Sequence, residues 1–323
     1  MLAYCTTVSP LIPYNNSLLR LFEGNLSKLT ALILSCYLII SLICLLHIHI
    51  TTTNSYKMQT KNGTVIHKDF WHEHLVEVID NGIFRTLFFG GNILQSQMSK
   101  RQPHHLLIPY TCTMMAALLC KPNPQRVLLV GVGAGSLIRF LQHHFPECHI
   151  DAVDHSPHII DLARGYFRLP ENDFVTIHCC DGLEFVRNVQ ESNTYDLILV
   201  DAFNEQGMAT DIYTLEFFGL CANILSANGI VSSNLWSGKQ EEYAEAISAI
   251  TRTCKEHITI SVTELGNVIT LSFKTAVPWQ KIDRPKAELR QLSQRFGFDM
   301  QAIVKTAKKT NIALGSRLAS FFS

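Results

Sequence analysis

Three aspartates have the types and spacing to do chemistry together: Asp154, Asp181 and Asp201. Each closes a short apolar segment, at 149–154, 174–181 and 195–201. A fourth apolar run, Val127 to Val130, leads into Gly131-Val132-Gly133-Ala134-Gly135-Ser136. Leu137, Ile138, Phe140 and Leu141 then recur at helical spacing. Glycines let a backbone approach a ligand closely, and the helix N-terminus behind them offers free N–H groups. Asp154 follows Gly131 by 23 residues, close to where a nucleotide-binding βαβ unit puts the acid that grips a ribose diol. Strand-end aspartates also serve as plain helix caps. Three of them in register with a glycine turn favour a shared crevice, because the C-terminal strand ends of an open α/β sheet face one side. NAD-binding domains share the turn and the first acid, but Ser136 stands where G-x-G-x-x-G needs its third glycine.

The elements that must position these groups alternate. Helices are expected near 156–167, 182–190, 211–226 and 239–255, and strands at 127–130, 149–154, 174–180, 195–201 and 229–235. Strands at 258–264 and 267–274 are joined by Gly266-Asn267, a hairpin signal. Residues 64–95 alternate in polarity and carry turn signals at Asn81-Gly82 and Gly90-Gly91-Asn92, which predicts a small antiparallel unit. Tyr110 to Leu119 reads as one helix, and 284–320 as helical. The expected fold is an α/β Rossmann-like sandwich: a seven-stranded, mostly parallel sheet with an N-terminal antiparallel β extension. The expected divisions are an N-terminal segment 1–57, the β extension and linking helix 58–120, the cofactor-binding domain 121–275 and a helical segment 276–323.

The motif series is similar to that of class I S-adenosylmethionine-dependent transferases. Within that class it resembles the spermidine synthase-like (polyamine aminopropyltransferase) family. The residues carrying the likeness are Gln95-Ser96-Gln97-Met98, Tyr110, the glycine turn, Val153-Asp154, Ala163-Arg164-Gly165-Tyr166-Phe167, Cys180-Asp181-Gly182, Val200-Asp201-Ala202-Phe203, Leu215-Glu216-Phe217-Phe218 and Asn228-Gly229-Ile230-Val231. It extends from about Lys61 to Phe273. The resemblance implies transfer of an aminopropyl group from decarboxylated S-adenosylmethionine to an amine acceptor such as putrescine. Asp201 matches the catalytic acid, Asp154 the ribose-binding acid, and Asp181, followed by Gly182, the acid that accepts from the adenine amino group. Gly131, Gly133 and Gly135 match the turn under the cofactor tail, and Gln95 the glutamine that closes the site.

The chain departs from the family at the amine-binding acids. Ala134 stands at the aspartate inside the glycine turn, Asn204 and Glu205 follow the catalytic acid, and Cys112 replaces the acid after Tyr110. Glu205, Asp211 and Glu216 are candidates for replacement charge, or else solvated loop and helix N-terminal acids. Two further readings stay open at this stage: a methyltransferase using intact S-adenosylmethionine, and a non-catalytic cofactor-binding homologue.

Composition bounds the rest. The chain has 323 residues, and 27 Lys+Arg balance 27 Asp+Glu, so there is no electrostatic footprint for nucleic acid. The 10 Cys form no C-x-x-C pair and read as reduced thiols of a cytoplasmic domain. Among the 14 His, the pairs His72/His74, His104/His105 and His143/His144 match no ligand pattern, so no metal is expected. Residues 31–50 lack Lys, Arg, Asp and Glu and are long enough for a membrane anchor. The alternative is that Met58 is the true start. A homodimer is compatible with either reading.

Overall fold

The computed structural model describes residues 62–71, 73–90, 93–189, 195–204, 207–262 and 266–321, with 312–321 described by backbone alone. All fall within one unit, Met58–Ser323. The segment 31–50 and Glu205 lie outside the described residues. Among the described residues, no helix is long and apolar enough to cross a membrane.

Four strands open this unit: β1 (Thr64–Trp71), β2 (His74–Asp80), β3 (Phe84–Phe89) and β4 (Ile93–Ser99), an antiparallel sheet in sequence order. Next come helix α1 (Pro109–Met114) and a 3-10 turn, Met115–Leu119. The single helix expected over 110–119 thus changes pitch midway, where Ser232 Oγ donates to the Met114 carbonyl at 3.1 Å. The central sheet follows: β5 (Arg126–Val130), α2 (Ser136–His144), β6 (His149–Asp154), α3 (Pro157–Phe167), β7 (Val175–Cys179), α4 (Gly182–Asn188) and β8 (Tyr195–Val200). A two-residue ladder, β9 (Phe203–Asn204) with β10 (Gly207–Met208), precedes α5 (Leu215–Ile224), β11 (Leu225–Trp236), α6 (Gln240–Thr253), β12 (Glu256–Ser261) and β13 (Asn267–Phe273). The helical end is α7 (Trp279–Ile282), α8 (Lys286–Phe296) and α9 (Met300–Phe321). Helix α5 is shorter than the sequence pattern because Thr214 caps it, accepting from Phe217 N at 3.2 Å.

The seven-stranded sheet has the order β12-β13-β11-β8-β5-β6-β7. Strand β13 runs antiparallel to both neighbours; the other ladders are parallel. Strands buried on both faces read as continuous apolar runs. Val127 and Leu129 enter one apolar cluster with Phe140 and Leu141, whereas Leu128 and Val130 enter another with Phe217 and Ile250. This is the two-residue alternation of a strand between two helical layers. The strand order reverses between β5 and β8, so their C-terminal ends flank the topological switch point where ligands of such sheets bind.

The β extension packs Val76, Val78, Leu87 and Met98 against Ile159, Leu162 and Phe167 of α3. Its hairpin is tied by one carboxylate. Asp80 accepts from Lys100 Nζ at 2.9 Å, Gly82 N at 2.8 Å and Arg85 Nη2 at 2.9 Å. Arg85 Nη1 reaches on to the Tyr166 carbonyl at the end of α3, 2.6 Å away. The bonds from Lys100, Gly82 and Arg85 hold the Asp80 carboxyl far below the usual carboxylate range, against the opposing effect of burial. A depressed pKa contributes stability above the unfolded value and loses it as pH falls. Asp80→Asn should therefore lower the thermal midpoint at pH 7 by about 4 °C or more. The gap to the wild type should close as pH drops below about 4. Thermal unfolding of both proteins across that range checks this; a gap independent of pH would show that the Asp80 charge is not what holds the hairpin.

Candidate active site at the switch point

Asp201 follows β8 directly, and its N–H donates to the Val130 carbonyl at 2.8 Å. Its carboxylate is fixed from two sides. Asn234 Nδ2, on β11, donates to Oδ1 at 2.8 Å, and Tyr110 Oη, on α1, donates to Oδ2 at 3.2 Å. Asn234 is itself oriented. Asn267 Nδ2, at the start of β13, donates to its Oδ1 at 2.9 Å, and Tyr213 Oη donates to its carbonyl at 2.8 Å. Burial raises the Asp201 pKa to about 6, although the bonds from Asn234 and Tyr110 pull it down. The residue is not fully sealed off and keeps some exposure. Burial, and then the neighbouring Asp201 charge, push the phenols of Tyr110 and Tyr213 far above their ordinary value. Both stay protonated, so Tyr110 remains a donor to Asp201.

The glycine turn lies beside this acid. Gly131, Gly133 and Gly135 have φ of 96°, 51° and 74°, a region costly for residues with a Cβ. A Cβ on Gly131 would collide with the Asp201 carbonyl oxygen, whereas one on Gly133 would meet open space. Arg139 braces the turn from behind. It is 5% exposed and donates to the carbonyls of Ala134, Phe167 and Pro103 and to Ser136 Oγ. Burial lowers its pKa to about 9, so it remains a cation at neutral pH. Asp154 closes the other side: its Oδ2 accepts from Val132 N at 2.9 Å and its Oδ1 from Ser156 N at 3.0 Å. Each oxygen keeps a lone pair for a further donor such as a hydroxyl.

Asp181 is exposed and caps α4, its Oδ1 accepting from Glu184 N at 2.8 Å. The helix-cap reading thus holds for this acid, and its second oxygen has the freedom to accept elsewhere. Gly182 is buried, and a Cβ there would lie 2.8 Å from Val130 Cγ1, so packing against β5 requires the glycine. Gln95 has a position that the sequence did not show. Leu87 pairs with Ser96 and Phe88 with Leu94, so Gln95 is the extra residue of a β-bulge, a device that re-aims a side chain. Its neighbour Ser96 lies 3.1 Å, Oγ to Oγ, from Ser136, which follows Gly135.

The departures are also placed. Ala134 is 2% exposed and packs in the apolar cluster beneath the β extension. Cys112 packs against the main core, and burial pushes its thiol up to about 11, so it is neutral. Asn204 Oδ1 accepts from Gly207 N at 3.1 Å within the β9–β10 turn. Glu216 lies in the first turn of α5, paired with Arg187, and Asp211 is exposed. Asn234 and Tyr213 were missed from sequence. The available signal was the polar run Ser232-Ser233-Asn234 inside an otherwise buried strand.

A glycine turn and strand-end acids around the switch point of a mostly parallel seven-stranded sheet are the arrangement of the Rossmann-like methyltransferase fold. Solved structures share that fold. A probable spermidine synthase from Corynebacterium glutamicum superposes with a TM-score of 0.60 at 16% identity, over 77% of this chain and 94% of that one. A spermidine synthase in complex with the transition-state analogue AdoDATO gives 0.60 at 17%, over 75% and 83%. Human methyltransferase-like protein 13 in complex with SAH gives 0.51 at 22%, over 62% and 93%. The spermine/spermidine synthase domain model matches residues 110–272. The polyamine aminopropyltransferase of Chromobacterium violaceum is 32% identical over 238 residues, 73% of this chain and 90% of that protein. That of Neisseria meningitidis serogroup A is 31% identical over 239 residues, 73% and 90%. The chain belongs to the spermine/spermidine synthase family.

A raised carboxylate pKa destabilises the fold once the group ionises. Between the unfolded value of 3.8 and the folded value of about 6, the native state binds the extra proton, so stability falls as pH rises through that window. Asp201→Asn keeps an acceptor for Asn234 and removes the charge. It should be more stable than the wild type at pH 7, by about 1–3 kcal/mol, with no advantage at pH 4. Denaturant unfolding at both values decides, and a variant less stable than the wild type at pH 7 would overturn the assignment.

Proposed function

We propose that this chain transfers the aminopropyl group of decarboxylated S-adenosylmethionine to an amine acceptor such as putrescine, a step of polyamine biosynthesis in the cytoplasm. The observation that carries the reading is the Asp201 carboxyl, held by Asn234 and Tyr110 beside a glycine cradle that has room in front of Gly133. In this reading residues 121–275 form the transferase domain, and 58–120 close over it through Gln95. The cradle and Asp154 hold the nucleoside, Asp154 by its free lone pairs toward the ribose diol, and Asp181 turns its second oxygen to the adenine amino group. The cosubstrate supplies a sulfonium whose carbon is already activated.

What remains for the protein is alignment and one proton. Asp201 faces both tasks. As a carboxylate it draws a cationic centre into the crevice. With a pKa of about 6 it takes the proton that the attacking amine must lose, at a pH where it is itself ionised. The amine nitrogen bonds to the aminopropyl carbon, the carbon–sulfur pair returns to sulfur, and a neutral thioether leaves. Methyl transfer and loss of catalysis are both disfavoured by membership of a family whose named relatives are polyamine aminopropyltransferases.

The test is release of methylthioadenosine from decarboxylated S-adenosylmethionine and putrescine. Asp201→Asn should lower turnover by about 10²-fold or more while binding of methylthioadenosine, measured by calorimetry, stays near the wild-type value. Asp154→Ala should abolish that binding. The wild-type rate should rise with pH through about 6 as Asp201 ionises. Equal loss of binding in both variants would show that the two roles are misassigned.

A further inference from the structure

A second cluster of ligand-type side chains lies in the seam between β1 and α3. His67 and Asp69 point from β1, and His158 from the second position of α3. One ligand atom from each lies within 4.8 Å of the others. Both imidazole Nε2 atoms are buried without a hydrogen-bond partner. Each lies 3.9 Å from the same oxygen, Asp69 Oδ2. That separation is too long for a hydrogen bond. It is near the span between two ligands of one tetrahedral ion, about 3.4 Å for bonds of about 2.1 Å. Two buried ring nitrogens facing one carboxylate oxygen without bonding it call for a shared partner.

We propose that His67, Asp69 and His158 bind a divalent transition-metal ion of the zinc type, which clamps the edge strand of the β extension onto α3. Two imidazoles with one carboxylate suit such an ion and not magnesium or calcium, which take oxygen ligands. The surroundings support the ring orientations the ion needs. A metal on His67 Nε2 leaves the proton on Nδ1, and Tyr166 Oη stands 3.3 Å from Nδ1 to accept it. Trp71 stacks on His158 with ring centroids 5.1 Å apart and planes 4° from parallel, which fixes that ring. Asp69 is half-exposed, which leaves the fourth position to water. The site uses no residue assigned to aminopropyl transfer and stands or falls apart from that assignment.

The test uses the full-length protein, stripped with chelator and titrated with Zn²⁺ by calorimetry and with Co²⁺ by visible absorption. The wild type should take up one ion with the d–d bands of nitrogen and oxygen ligation, and Zn²⁺ should raise its thermal midpoint. His158→Gln and Asp69→Asn should each weaken uptake by about tenfold or more and lose the thermal rise. His143→Gln, in a separate histidine group, should keep both. If His158→Gln fails to fold, the half-exposed Asp69→Asn decides. Uptake and thermal rise unchanged in Asp69→Asn, or no uptake by the wild type at micromolar metal, would overturn the proposal.

Discussion

Gly131 and Asp201 occupy a space too small for one more methyl group, and the site depends on that approach. The two residues end adjacent parallel strands at the place where strand order reverses. A Cβ on Gly131 would collide with the Asp201 carbonyl oxygen, so only glycine lets β5 and β8 deliver their turns side by side. The ligand cradle and the acid are therefore placed by one backbone contact and not by flexible side chains. Arg139 extends the constraint by gathering three carbonyls from three segments behind the turn. A buried cation satisfied by carbonyl oxygens fixes backbone without adding a competing anion near the crevice.

The electrostatics follow from the same economy. Asp201 is held by an amide and a phenol. A guanidinium or ammonium in either place would drive its pKa down and make it a poor base. Neutral donors orient the carboxylate and leave burial to decide its proton affinity, which is how a pKa near 6 arises. Cys112 is a neutral thiol packed against the core.

Much of this was legible in sequence, for physical reasons. Parallel strands must be apolar on both faces, so Val127 to Val130 and Leu197 to Val200 announced themselves, and a glycine turn followed by Asp154 located the cradle. What was not legible depends on distant partners. Asn234, Asn267 and Tyr213 orient the acid from elements whose juxtaposition is a property of sheet order. The bulge at Gln95 depends on cross-strand register. Asp181 looked like one of three equivalent acids but also caps a helix, because the strand-end position serves both purposes. Ala134 looked like a missing ligand; its side chain lies in an apolar cluster. His67 and His158 are far apart in the chain and escaped any search for short ligand spacings.

The relay from Asn267 through Asn234 to Asp201 has a consequence for how the protein is made. Chains emerge from the ribosome N-terminus first. The cradle, both other acids, Asp201 itself and Asn234 are all synthesised before Asn267, which opens the reversed strand β13. Until that strand inserts between β11 and β12, the Asn234 amide lacks the donor that sets which of its ends faces Asp201. A nascent chain can thus possess every residue of its crevice while the acid is held by Tyr110 and by an Asn234 amide that still lacks its own partner. The last strand of the sheet to be synthesised supplies the final hydrogen bond of the chain of amides that reaches the acid.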